Sequence, residues 1–237
     1  MTAPAIRALL FDKDGTLFDF HATWSAVVTR VIDALAPDET ARRAMAASGG
    51  IDLVTGRFEP GSPIVAGAVQ ETALLWEPLV PGLDAAAIEE RINTLSAAMT
   101  GPATLVPAAA DLPGLLAELR AAGLALGVAT HDSEGAARAQ LAAIGALEAF
   151  DFIAGYDSGH GLKPGPGMLL AFAAATGRRP DEIAMIGDSV HDLMVAPNAG
   201  AAMAIGVLTG PAGPADLAPH ATHVIGSIAE LPALLRL

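Results

Sequence analysis

The chain has 237 residues, enough for one large domain or two modest ones, and is 52% hydrophobic and 16% charged with a formal net charge of -13. Such a composition supports a sizeable core rather than disorder, and its acidity argues against a nucleic-acid binder and against an anionic membrane surface as partner. The absence of cysteine excludes disulfides, thiolate catalysis and Cys-ligated metals.

No basic leader with a cleavage signal and no apolar run long enough to span a bilayer is present, so a cytoplasmic protein is expected. Residues 6–10 form a short apolar run closed by Phe11-Asp12-Lys13-Asp14-Gly15-Thr16-Leu17. That pattern predicts a strand buried on both faces, with Asp12 and Asp14 at its C-terminal end, where open α/β sheets bind ligands. Residues two apart on a strand share a side, so Asp12 and Asp14 are expected together. Lys13 is expected to point away, in a surface or interdomain role. Gly15 allows a sharp turn that brings backbone N–H groups towards a ligand.

Next come helices predicted over 25–35, from Asp38-Glu39-Thr40 to Gly49-Gly50, over 64–75 and over 84–98, with a loop at 55–63. Nothing from 19 to 100 reads as a strand. This stretch is expected to be an all-helical insertion, residues 19–101, bounded by Gly101-Pro102. From 102 onward strands and helices alternate. Strands are predicted at 124–130, 150–154, 183–186, 201–207 and, at an edge, 223–225. Helices are predicted at 112–122, 133–144, 168–176, 190–199 and 228–235. Such alternation implies a parallel sheet covered on both faces. The expected fold is α/β: a Rossmann-like core, residues 1–18 and 102–237, interrupted by the helical insertion.

Chemistry gathers at the strand ends. The first ends at Asp12, the second at Thr130 and the fourth at Asp188; Asp192 follows one helical turn later, and Lys163 lies in a loop before a helix. Two ionised carboxylates this close need a compensating proton, cation or base. Oxygen-only donors suit a hard divalent cation such as Mg²⁺. Several carboxylates, one hydroxyl and one ammonium at a sheet edge fit phosphoryl transfer, with Lys163 neutralising charge and Thr130 donating to a phosphate oxygen.

Asp12-x-Asp14-Gly15-Thr16, Thr130, Lys163-Pro164 and Gly187-Asp188-Ser189-Val190-His191-Asp192 resemble, in order, the four motifs of the haloacid dehalogenase-like hydrolase superfamily. The insertion resembles the helical cap of its phosphoglycolate-phosphatase-like branch. That resemblance implies Asp12 as nucleophile and Asp14 as general acid and base. It also implies Mg²⁺ held by Asp12, the Asp14 backbone carbonyl and Asp188, with Asp192 in support. Lys13 departs from the family, which usually has an apolar residue there, and so does His131-Asp132 after Thr130. Arg57 is a candidate for binding a substrate carboxylate. Gly15, Thr16, His131 and His21 are further candidates for substrate contact, and Trp24 is expected to pack in the core. His160, His191, His220 and His223 show no metal-ligand spacing.

The implied activity is Mg²⁺-dependent hydrolysis of a small phosphate ester such as 2-phosphoglycolate, by a monomer or homodimer. A sugar phosphomutase using the same aspartyl-phosphate and a non-catalytic phosphate-binding module are the alternatives. A dehalogenase would need neither Asp14 nor Asp188.

Overall fold

The computed structural model describes residues 6–59, 61–99 and 104–237. Its centre is a sheet of β1 (Ala8–Phe11), β2 (Ala125–Ala129), β3 (Phe152–Ala154), β4 (Ile183–Gly187), β5 (Met203–Val207) and β6 (His223–Ile225), all parallel, in the order β3-β2-β1-β4-β5-β6. Every side chain of β1 is buried. Ala8 and Leu10 pack on one face with Phe172 and Leu193, while Leu9 and Phe11 pack on the other with Leu116 and Leu141. This is why the strand reads as a continuous apolar run rather than an alternating one.

The order reverses between β1 and β4, and the crevice at such a switch point is where doubly wound sheets bind ligands. Register keeps the strand ends level: Phe11 lies opposite both Val128 and Ile186. Asp12, Thr130 and Asp188 therefore emerge side by side.

Between β1 and β2 lie α1 (Phe20–Leu35), α2 (Glu39–Gly49), α3 (Pro63–Ala66), α4 (Val69–Trp76), α5 (Ala85–Met99) and α6 (Leu112–Ala121). The first five have an apolar cluster of their own, including Val31, Ile32, Met45, Trp76 and Ile88. Among the described residues from 19 to 99, the only β pairing is an isolated bridge between Ile51 and Phe58. The first helix starts earlier than predicted because Asp19 caps it, accepting from the Ala22 N–H at 2.8 Å. The single helix expected over 64–75 is two. The Glu71 carboxylate accepts from the Ala68 N–H at 3.2 Å and so caps a new start at Val69. The expected boundary at Gly101-Pro102, like Pro60 in the loop, lies outside the described residues.

The remaining helices are α7 (Glu134–Ala143), α8 (Gly167–Thr176), α9 (Val190–Ala199), α10 (Pro214–Leu217) and α11 (Leu231–Leu235). The short α10 was not expected. The helix predicted over 228–235 opens as a tighter 3-10 turn, Ile228–Glu230. No helix among the described residues is long and apolar enough to cross a membrane.

Candidate active site

Asp12 follows β1 directly, and its N–H donates to the Ile186 carbonyl at 2.8 Å, which ties it to β4. Its carboxylate is buried and accepts a hydrogen bond from Lys163 Nζ at 2.6 Å. The same ammonium donates to Asp192 Oδ1 at 2.6 Å and to the Ala129 carbonyl at 3.1 Å. Lys163 thus bridges the ends of β1 and β2 and the start of α9. Burial would lower its pKa, but the Asp12 and Asp192 charges and hydrogen bonds outweigh burial and raise it. It is a fixed positive charge.

Asp192 is placed by the cap of its own helix. Ser189 precedes α9, and its Oγ and N–H both donate to Asp192 Oδ2, at 2.6 and 3.1 Å. This is a capping box with aspartate in the third position. One oxygen is used by the cap and the other by Lys163. Burial pushes the Asp192 pKa up, yet Lys163 and Ser189 together hold it below the usual range.

Asp188 differs. It is 3% exposed, and its Oδ2 has no hydrogen-bond partner. Burial, reinforced by the Asp12 and Asp192 charges, raises its pKa well above the usual range. A Cβ on Gly15 or on Gly210 would overlap this carboxylate, so two backbone segments close directly onto it. Asp12, Asp188 and Asp192 each offer an oxygen within 4.8 Å of the others. Three carboxylates against one ammonium leave an excess of two negative charges when all are ionised. An orphaned buried oxygen, oxygen-only donors and that excess fit a hard divalent cation.

Asp14 stands apart from this trio and points towards the helices. The Trp24 indole N–H donates to Asp14 Oδ1 at 2.7 Å, and Lys13 Nζ donates to Oδ2. Lys13 also donates to Gln140 Oε1 at 2.6 Å and lies 3.4 Å from Asp132 Oδ2. Burial acts to lower the Lys13 pKa, but Asp14 and Asp132 reverse this and raise it. The surface role expected for Lys13 is therefore wrong, since the residue is 0% exposed, whereas its ammonium does sit 5.4 Å from the Trp24 ring of the insertion. The strand ends at Phe11, so alternation no longer governs Lys13. The Leu17 and Phe18 N–H groups bond back to its carbonyl, and the tight turn brings its ammonium to Asp14. Trp24 packs against the apolar cluster of the helices, as expected, and its indole edge also lines the cavity and orients Asp14.

The carboxylates form the floor of a cavity of about 490 Å³ between the strand ends and the helices α1, α3, α4 and α5. Thr130, His131, Lys163 and His191 also line it. The His131 ring accepts from the Lys163 backbone N–H at 3.0 Å, which anchors the loop carrying the ammonium. Four candidates for substrate contact do not line the cavity. Gly15 backs Asp188, and Thr16 is wholly buried. Arg57 is exposed on a turn pinned by Asp52, whose N–H donates to the Arg57 carbonyl at 2.9 Å. His21 lies against Phe58, with ring centroids 5.9 Å apart, and is not among the residues lining the cavity. Gly187, which opens the fourth motif, lies where a side chain would collide with Asp192; Gly210, where one would collide with Asp188, escaped the sequence reading.

A family model described as haloacid dehalogenase-like hydrolase matches residues 6–200. The chain belongs to that family. Phosphoglycolate phosphatase of Rhodospirillum rubrum is 30% identical over 82% of this chain and 76% of its own. Pyrophosphatase PpaX of Bacillus velezensis is 27% identical over 84% of this chain and 82% of its own. Among solved structures, a hydrolase from Pseudomonas syringae superposes with a TM-score of 0.72 over 98% of both chains at 21% identity. The chain falls in the family's phosphoglycolate-phosphatase-like branch and is a phosphatase.

Two consequences of this site can be measured. Burial, only partly offset by Lys163, pushes the Asp12 pKa from 3.8 up to about 7. The folded protein then holds a proton that the unfolded chain has lost, so stability without cation falls as pH rises from about 4 to about 7. Asp188 acts in the same sense, whereas Asp192 has its effect below that window. Asp12 alone accounts for about 4 kcal/mol, or roughly 10 °C in Tm, and Asp188 adds to it. Thermal scans of chelator-treated protein should show this fall, and a divalent cation should restore more stability at the upper end. A Tm that climbs through the window would contradict the assignment.

The second concerns Gly210→Ala, which must displace the Asp188 carboxylate. The cation concentration for half-maximal activity should rise about 10- to 100-fold. An unchanged cation dependence would mean that Asp188 has room to spare.

Proposed function

We propose that this family member is a Mg²⁺-dependent phosphatase of small phosphate esters, working through an aspartyl-phosphate on Asp12. The observation that carries the reading is the buried Asp12 carboxylate, held by Lys163 at 2.6 Å beside the orphaned Asp188 oxygen at the floor of the cavity. Residues 1–18 and 102–237 act as the catalytic core, and residues 19–101 as a cap. The separate apolar cluster of α1–α5 supports this division.

Asp12 attacks phosphorus, and the bond to the ester oxygen breaks. Asp14, on the cavity side and steadied by Trp24 and Lys13, gives a proton to the departing alkoxide. Water then attacks the acyl phosphate; Asp14 takes its proton, and phosphate and free Asp12 result. Lys163 keeps Asp12 oriented and offsets charge on phosphate, and Thr130 donates to a phosphate oxygen. Mg²⁺ would be held by Asp12, Asp188 and the Asp14 carbonyl, with Asp192 behind them, and would neutralise charge shared by nucleophile and phosphate.

A phosphomutase would have to hold the second phosphate of a bisphosphate. Among the described residues, Lys163 is the only lysine or arginine lining the cavity, which favours hydrolysis. The test is phosphate release from a panel of monoesters, with 2-phosphoglycolate included because the Rhodospirillum relative bears its name. Turnover should require Mg²⁺ after chelation. Undiminished turnover in chelator would overturn the metal role, and no turnover on any ester would overturn the phosphatase reading.

A further inference from the structure

We propose that the leaving group of the substrate is an uncharged, predominantly apolar alcohol, and not a carboxylate-bearing or bisphosphorylated one. The inference rests on the phosphatase reading and assigns a substrate class to the same site. Above the carboxylate floor the cavity wall is built by Val28, Val31, Ile64, Val65, Val69 and Ile92. Its polar members on the same helices are neutral: Thr72, Asn93 and Ser96.

The chain has 13 lysines and arginines, and all of them lie among the described residues. Lys163 is used by Asp12 and Asp192, and Lys13 by Asp14 and Gln140. None of the arginines lines the cavity. The charge balance at the floor already calls for a cation, and the two histidines of the lining, His131 and His191, follow Thr130 and precede Asp192 at that floor, so a leaving-group carboxylate or second phosphate higher in the cavity would enter an acidic space with no further lysine or arginine to meet it. Such an unpaired anion is heavily penalised. The volume of about 490 Å³ is typical of sites for drug-sized ligands and far exceeds what a two-carbon acid fills. An apolar body gains from burial against the valines and isoleucines, and Asn93 or Ser96 can meet a hydroxyl or carbonyl on it.

The discriminating experiment compares kcat/KM for benzyl phosphate and hexyl phosphate with that for 2-phosphoglycolate and a sugar bisphosphate, on the Mg²⁺-loaded full chain. The apolar esters should lead by at least about 10-fold, the scale on which apolar pockets discriminate. Val65→Lys and Ser96→Lys each place an ammonium in the half-buried wall. In either variant that folds, the ratio of 2-phosphoglycolate to benzyl phosphate should rise about 10-fold or more. Equal or better turnover of the anionic esters by the unaltered protein overturns the inference and leaves the phosphatase reading intact. So does a ratio unmoved in both variants. Turnover of no ester overturns the phosphatase reading, and the inference with it.

Discussion

Asp12→Asn is expected to abolish phosphate release, with a loss on the order of 10⁴-fold or more in kcat. The amide keeps the shape of the side chain but cannot form the acyl phosphate. Folding should survive. Burial, with repulsion from Asp192 adding to it, raises the Asp12 pKa to about 7, so a neutral group there relieves that penalty while losing an ionic bond to Lys163. Lys163 keeps Asp192 and the Ala129 carbonyl as partners. Near-native Tm with no measurable turnover is the expected pair of results, read by thermal scanning and a phosphate-release assay. Substantial turnover would remove Asp12 as nucleophile.

Lys13→Met should have the largest effect on stability. The methionine restores the apolar character usual for the family at this position, but here the surroundings have been built for a cation. Asp14 and Asp132 would lose the only lysine that pairs with them, and the buried Gln140 oxygen would lose the Lys13 ammonium as its donor. Removing one partner of a buried ion pair costs about 3 kcal/mol or more, which is roughly 10 °C in Tm for a chain of this size. Turnover by the protein that remains folded should also fall, since Trp24 alone then holds the Asp14 carboxylate. A Tm within about 2 °C of the parent, less than 1 kcal/mol, would mean that the cluster contributes little.

The same cluster marks where the sequence stopped being readable. The six strands and the polar residues at their ends could be read because each strand is a short apolar run with a turn signal behind it. The C-terminal end of a parallel strand has one direction to face, so Asp12, Thr130 and Asp188 had to come together. Lys163 and Asp192 followed, as a loop before one helix and the first turn of another. Lys13 was misread because the alternation rule was carried one turn beyond the strand, which ends at Phe11. Trp24 packs with the helices as its spacing suggests, but its second role was not legible, because only the approach of α1 to the β1 turn brings its N–H to Asp14.

Long-range packing explains the other gaps. Gly210 is 22 residues from Asp188 in sequence, and only its place against that carboxylate forbids a side chain. Arg57 was attractive as the one basic residue in a loop of the insertion, but its turn is tied to Asp52 and faces outward. Apolar residues of α1, α3, α4 and α5 looked the same whether they faced their own cluster or the cavity. The composition of that wall, and with it the substrate class, became visible only when the helices were set over the strand ends.

The central claim is the covalent intermediate on Asp12. The most direct measurement is a single turnover with Mg²⁺ and a hydrolysed ester, quenched in acid and followed by mass spectrometry of the protein and its peptides. One phosphoryl group on the peptide carrying Asp12, appearing before free phosphate and absent in Asp12→Asn, is the predicted result. Phosphate released at the rate of ester loss, with no phosphorylated peptide at any time point resolved faster than turnover, would contradict it and point to direct attack by water.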